Sequence, residues 1–422
     1  MGESAPLVEH YFRHEYGRVV AALVRRFGAG RLELIEDCVQ SSMAVALTSW
    51  ALRGRPSNPG AWLTRTARNA LVDQLRREAI GQRVVDALPS DDVEPETPAP
   101  SMSEEVGDDA LRMLFVVADP ALPDEQQLAL ALKILCGFSV REISMRLFVA
   151  EDAVRKRLQR GRKALAAAAP DLEGPSPEAL GARLQSVQRI IYLLFNEGYS
   201  SAKEGEHLRL ELCEEALRLC RMLLSHPRGA VGSSWALLSL MTLHHARRDA
   251  RHDEEGVALL LEEQARERWH WPEIGKAMGY LQKAGEGPEV GRYHVEAAIA
   301  SEHCSASTYA ETNWVDIARL YDVLLQLNPS PLHRLNRAIA VAEAEGMDAP
   351  FATGPAAALT YLQAQTPPAW LARHYLWDAA LGELHRRLGD DTKARSHLEA
   401  ARRNAPTRAE TQRLQRRLEL LN

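Results

Sequence analysis

The sequence predicts an all-α protein built in three parts. Three observations carry this. Apolar residues recur at spacings of three and four through nearly every patterned segment, while alternating strand patterns are scarce. Two stretches rich in Pro, Gly or acids interrupt that pattern. The chain has 422 residues, too many for one ordinary domain. Apolar content of 46% suffices for real cores, and a net charge of −6 excludes a surface that coats nucleic acid or membrane as a whole. Any polyanion contact has to be local.

The five cysteines (Cys38, Cys136, Cys213, Cys220, Cys304) are odd in number and form no Cys-x-x-Cys, so neither a disulfide framework nor a zinc site is indicated. Cys213 and Cys220, seven apart, read as packed thiols on one helix face. No apolar run reaches the roughly 18 residues that a membrane helix needs, and the N-terminus lacks a signal-peptide core. The expectation is a soluble cytoplasmic protein without cofactor, metal or membrane span. Walker, Gly-x-Gly-x-x-Gly, His-Glu-x-x-His and Gly-x-Ser-x-Gly motifs are all missing, which argues against an enzyme.

The boundaries come from composition. Residues 86–109 hold nine acids, no Lys or Arg, and Pro89, Pro95, Pro98 and Pro100. Proline removes backbone donors and like charges repel, so this reads as a linker without a core of its own. "APDLEGPSPEALG", residues 169–181, marks a second break. The parts are therefore 1–85, 110–168 and 178–422.

In the first part, residues 31–50 read as an amphipathic helix with Ile35, Val39, Ala46 and Trp50 inward and Glu36, Asp37 and Gln40 outward. Residues 57–78 read as another. Asn58 is its N-cap, Pro59 fits the first helical position, and Leu63, Ala67 and Ala70 face the core. Arg65, Asn69 and Arg76 align on the opposite face, flanked by Arg68 and Arg77.

Residues 124–166 read as three helices. The first carries Leu128, Leu132 and Leu135 on one face and stops at Gly137. The second starts at Ser139, and Glu142 three positions later makes a capping box. After the turn "FVA" comes "EDAVRKRLQRGRK", where six bases face two acids. Its inner stripe is Val154, Leu158, Gly161 and Leu165. Asp152, Arg155, Lys156, Gln159, Arg162 and Lys163 project from the other side. Two short helices joined by a tight turn, the second carrying bases outward, make a helix-turn-helix. Arg155, Lys156 and Gln159 lie in the early turns, where they reach base edges, and Arg162 and Lys163 suit phosphates.

"EDCVQ", then "NPGAWLTRTARNALVDQLRRE", an acidic linker, and "REISMRLFVAEDAVRKRLQRGRKAL" together resemble a bacterial sigma factor of the sigma-70 family, extracytoplasmic-function type. The first two motifs resemble region two and the third region four, covering about 1–168. The resemblance implies binding to core RNA polymerase and promoter DNA. Region two opens and reads the −10 element and region four reads the −35 element. By resemblance Glu36, Asp37 and Gln40 match the helix that docks on the polymerase clamp. Asn58, Trp62, Arg65, Arg68, Asn69, Asp73 and Arg76 fall in the −10 segment, and Arg155, Lys156 and Gln159 on the −35 helix. "SSMAVAL" after "VQ" and Ala150 at the N-cap of the basic helix depart from the family pattern.

Residues 178–422 exceed what such a factor needs. "HYLWDAALGELHRRLGDDTKARSHLEAARRNAP" matches the tetratricopeptide (TPR) pattern at Leu381, Gly382, Ala394 and Pro406, with Leu398 replacing the Phe. Helices ending at Pro227 and Pro329 repeat it loosely. A TPR-like helical solenoid follows, with a concave face for a protein partner. "IIYLLFNEGYSS" resembles the start of the extension in one extracytoplasmic-function subgroup. "HHARRDARH" and "WHWP" read as structural histidines rather than metal sites. The competing reading is a helix-turn-helix regulator with a TPR sensor that never joins polymerase.

Overall fold

The computed structural model describes residues 4–82, 113–120, 122–147, 149–168, 177–199, 210–227, 229–253, 259–405 and 408–421. The linker 86–109, Phe148 of the turn and Pro406 of the repeat pattern lie outside them. The described residues are helices and connecting turns, without a β-strand among them. They divide into two compact units, Met1–Glu197 and Gly198–Asn422.

The first unit opens with α1 (Ser4–Phe27), α2 (Leu32–Arg53) and α3 (Pro59–Gln82). These pack on one another through Val20, Leu23 and Val24 of α1, Ile35, Val39 and Ala46 of α2, and Leu63, Ala67 and Leu71 of α3, all fully buried or nearly so. Asn58 starts α3 as expected: its Oδ1 accepts from the Ala61 amide at 3.1 Å. Next come the helical residues 113–117, then α4 (Asp124–Ile134), α5 (Val140–Leu147) and α6 (Glu151–Ala168). The capping box forms in full. The Ser139 amide donates to Glu142 Oε2 at 2.7 Å, and the Glu142 amide donates to Ser139 Oγ at 3.2 Å. Val154, Leu158, Gly161 and Leu165 of α6 are buried against α4. Gly161 lets the axes close: a Cβ there would sit 2.8 Å from Leu130 Cδ1.

Helix α7 (Pro177–Tyr199) departs from the composition-based division. Through residue 197 it clusters with the first unit rather than with the C-terminal region. Two ion pairs link it to that unit, Arg183 to Asp119 at 2.7 Å and Arg189 to Asp124 at 2.9 Å.

The second unit runs from α8 (Leu210–Leu224) and α9 (Gly232–His245) to α10 (Trp271–Ala284), α11 (Arg292–Ser305), α12 (Trp314–Leu327) and α13 (Pro331–Glu343). It continues with α14 (Pro355–Gln363), α15 (Ala369–Ala372), α16 (Tyr375–Arg387), α17 (Asp391–Arg403) and α18 (Arg408–Glu419). Successive helices pack as neighbours, α8 on α9, α9 on α10, α12 on α13, α16 on α17. Such local, repeated pairing is the arrangement of a helical solenoid. At the TPR-matched seam, Gly382 of α16 abuts Leu398 of α17, where a Cβ would meet Cγ at 2.8 Å. All five cysteines are buried and free.

Candidate nucleic-acid interface

Two exposed cationic helix faces lie in the first unit. On α6, Arg155, Lys156, Gln159, Arg160 and Lys163 are exposed. Arg155 is held by its own first turn, to Glu151 at 2.6 Å and Asp152 at 2.7 Å. Exposed pairs of this kind contribute under about 1 kcal/mol, so a phosphate can displace them. Arg157 turns toward α4 and pairs with Glu125 at 2.7 Å. On α3, Arg65, Asn69, Asp73 and Arg76 form an exposed row one helical turn apart, with Asn58 exposed at its start. Arg68 is half-buried beside it. Trp62 is half-buried and meets Trp50 edge-on, ring centroids 5.5 Å apart. The rest of its surface is partly open to solvent.

Two residues lie elsewhere than helical periodicity placed them. Glu36, expected to point outward beside Asp37 and Gln40, is 1% exposed, whereas those two are exposed. Arg162, expected on the outer face of α6, is half-buried. They bind each other: Arg162 Nε donates to Glu36 Oε2 at 2.8 Å, and a second guanidinium nitrogen lies 2.5 Å from the same oxygen. Helix α2 thus has two buried faces. One packs on α1 and α3, and the other meets α6.

Three further residues complete this junction, none marked by any sequence motif. The Tyr16 hydroxyl donates to Glu36 Oε1 at 3.0 Å. Burial, reinforced by the Glu36 charge, holds that phenol well above its usual pKa. The Lys133 ammonium, on α4, stands 5.6 Å from the Tyr16 ring centroid, and burial lowers its pKa. Gly17 faces the end of α4, where a Cβ would lie 2.6 Å from the Leu135 carbonyl oxygen.

The second unit holds a concave cavity of about 430 Å³ lined by Tyr309, Trp314, Tyr321, Glu343, Arg387 and Arg417, among others. Arg387 pairs with Glu343 at 2.7 Å and Arg417 with Glu383 at 3.4 Å. Burial raises the Glu343 carboxyl even so. The walls combine aromatic side chains with paired Glu and Arg residues.

The histidine-rich stretches are tied into the unit's own packing. His245 Nδ1 lies 2.9 Å from Glu273, which also accepts from Arg248 at 3.0 Å. His270 pairs with Asp249 at 2.5 Å. Trp269 is buried beneath the Arg266 and Arg247 guanidinium groups at 4.6 and 5.2 Å. Among the described residues no group of three or more His, Cys, Asp or Glu is placed to hold a metal ion. None of the helices described is long and apolar enough to cross a membrane.

Comparison with known proteins adds the following. Residues 12–80 match the family Sigma-70 region 2, and residues 120–165 match Sigma-70, region 4. Residues 183–285 match a family of unknown function (DUF6596). An uncharacterized protein of Rhizobium meliloti (strain 1021) is 39% identical over 343 residues, 79% of each chain. The crystal structure of yeast Tom70 aligns over 96% of this chain and 82% of its own at 11% identity and a TM-score of 0.35, too low to bear on fold or function.

Proposed function

The chain belongs to the sigma-70 family, and from that premise we propose that it is a promoter-specificity factor of the extracytoplasmic-function type. In this reading residues 1–85 form region two, 86–109 a tether, and 110–168 region four. Residues 178–422 form a TPR-like module that binds a regulatory protein partner through the cavity lined by Trp314 and Arg387. The factor works where core polymerase works, in the bacterial cytoplasm, and is an initiation factor rather than an enzyme.

The roles follow the family resemblance, and exposure supports them at Asp37, Gln40, Asn58, Arg65, Asn69, Asp73, Arg76, Arg155, Lys156, Gln159 and Lys163. Asp37 and Gln40 dock on the polymerase clamp, joined by Glu36. Asn58, Arg65, Arg68, Asn69, Asp73 and Arg76 face the −10 element, with Trp62 stacking on an unpaired base. Such stacking returns about 1–3 kcal/mol against an unstacking cost of similar size. Arg155, Lys156 and Gln159 read the −35 duplex and Lys163 neutralises a phosphate, a role Arg162 can share only once released from Glu36.

The observation that carries this reading is the pair of exposed cationic rows, on α3 and α6, each inside the segment that matches its sigma region. The test is transcription from a genomic library by sigma-free core polymerase reconstituted with the purified chain. Start sites that appear only with the chain support the reading. Folded protein that confers none, yet footprints DNA alone, would make it a conventional helix-turn-helix regulator.

A further inference from the structure

A second cavity of the C-terminal unit has no part in the function proposed above. It measures about 230 Å³ and is walled by α8, α9 and α10, of which α9 packs on both others. It shares no residue with the cavity lined by Trp314 and Arg387. All of its lining residues fall within 183–285, the segment that matches a family of unknown function.

The walls from α8 and α10 supply positive charge. Arg221 of α8 and Lys276 of α10 are exposed, and neither has an ion-pair partner among the described residues. Two acids line the cavity with them, Glu214 and Glu273. Arg248 neutralises Glu273, its Nη1 lying 3.0 Å from both carboxylate oxygens. That leaves Glu214 against two cations, a balance that favours an anion. The wall from α9 offers acceptors instead. Thr242 is buried and donates its hydroxyl hydrogen to the Leu238 carbonyl at 2.7 Å, so only its lone pairs remain. His245 is 8% exposed, and its Nδ1 lies 2.9 Å from Glu273 Oε2. Arg248 Nη1, 3.1 Å from the same ring nitrogen, already has the His245 carbonyl and both Glu273 oxygens at 3.0 Å for its two hydrogens. Nδ1 therefore carries the hydrogen that Glu273 accepts. Burial lowers the His245 pKa and keeps the ring neutral. Nε2 is then a bare lone pair, buried and without a hydrogen-bond partner among the described residues. Buried polar atoms of native folds are nearly always paired, so this one calls for an explanation.

We propose that this cavity is a binding site for a small organic oxyanion that also carries a hydroxyl group. Arg221 and Lys276 take the anionic head, the guanidinium as a two-pronged donor and the ammonium as a point charge. The ligand hydroxyl donates to His245 Nε2 and supplies the missing partner, with Glu273 and Arg248 holding the imidazole in the accepting tautomer. Size narrows the class further. At about 30 Å³ per water the cavity has room for roughly eight, below the roughly 300–1,000 Å³ that hold drug-sized molecules. The ligand is a small hydroxy acid or phosphate monoester rather than a nucleotide.

Isothermal titration calorimetry on the full chain tests this with two matched pairs of probes, lactate against propionate and glycerol 3-phosphate against propyl phosphate. The hydroxylated member of at least one pair should bind with a Kd under about 1 mM. It should bind at least about tenfold more tightly than its deoxy partner, because the deoxy compound leaves Nε2 unpaired. Binding by one pair alone supports the site and names the head group. Lys276→Ala and Arg221→Ala remove exposed side chains that no ion pair of the fold needs, and each should weaken that binding at least about tenfold. His245→Phe keeps a ring and removes the acceptor, and should reduce the preference for the hydroxyl to under about twofold. Circular dichroism melts show whether His245→Phe has folded; if it has not, the wild-type pairs and the two cation variants decide. Absence of binding by all four probes, equal affinity within the pair that binds, or binding untouched in both cation variants overturns the site. Neither polymerase nor promoter enters the measurement, so its outcome is separate from that of the transcription assay.

Discussion

Lowering the pH should loosen the second unit through two buried histidines. Burial, with the nearby Arg247 charge, pushes His244 and His303 down to about 3. The unfolded chain protonates both near pH 6.5 and the folded chain does not, so the unfolded state binds more protons between about 6.5 and 3. Stability is therefore full above pH 6.5 and falls as pH drops through that window. Going from pH 7 to 5.5 costs about 1.2 kcal/mol per histidine, or about 2.5 kcal/mol for the pair. His245 and His385, also lowered by burial, act in the same direction. Glu302 and Glu343, raised by burial, act in the opposite one. Comparison of wild type with His303→Gln cancels these other groups. The assay is urea denaturation at both pH values followed by tryptophan emission, to which Trp235, Trp269, Trp271, Trp314, Trp370 and Trp377 report from the second unit. His303→Gln should lose about 1.2 kcal/mol of the pH effect. A variant with the full wild-type pH dependence would show that the reasoning is wrong.

Arg155→Ala combined with Lys156→Ala should weaken binding to the −35 duplex while leaving core association intact; unchanged footprinting there refutes the assignment. Lys163→Ala should lower affinity for every promoter alike and reduce the salt slope by about 1. Ser139→Ala removes one half of the capping box and should destabilise the first unit by about 1 kcal/mol in chemical denaturation. Gly382→Val drives branched bulk into Leu398 at the α16–α17 seam and should cost about 1–3 kcal/mol, read as an earlier melt of the second unit.

What the sequence disclosed was local. The Ser139–Glu142 box, the Asn58 cap and the inner stripe of α6 depend on residues within a turn or two, so spacing alone predicts them. The matches to sigma regions two and four agree with the motifs read from "NPGAWLTRTARNALVDQLRRE" and the basic helix. The all-helical architecture also follows from periodicity. What escaped was non-local. Glu36 and Arg162 are 126 residues apart in the chain, and a helical wheel drawn for α2 finds the apolar face but cannot find a second one formed by an ion pair. Gly17 gave no signal, because a glycine inside a helix announces a close neighbour without naming it. The break read near 178 and the division observed at Glu197 differ for a related reason. Arg183 and Arg189 tie α7 to Asp119 and Asp124, and a Pro-rich break does not show which side the next helix will join. A truncation after Leu165 therefore removes α7 and these two ion pairs along with the extension, whereas one after Glu197 follows the observed unit.

The buried cysteines of the second unit are chemically quiet. Cys213 and Cys220 are pushed up to about 12 and Cys304 to about 11, mainly by burial, so each stays a protonated thiol, a poor nucleophile for peroxides or electrophiles. The intact second unit offers little reactivity at these three sulfurs. A peroxide or an electrophile therefore meets no thiolate at these three positions until the second unit opens.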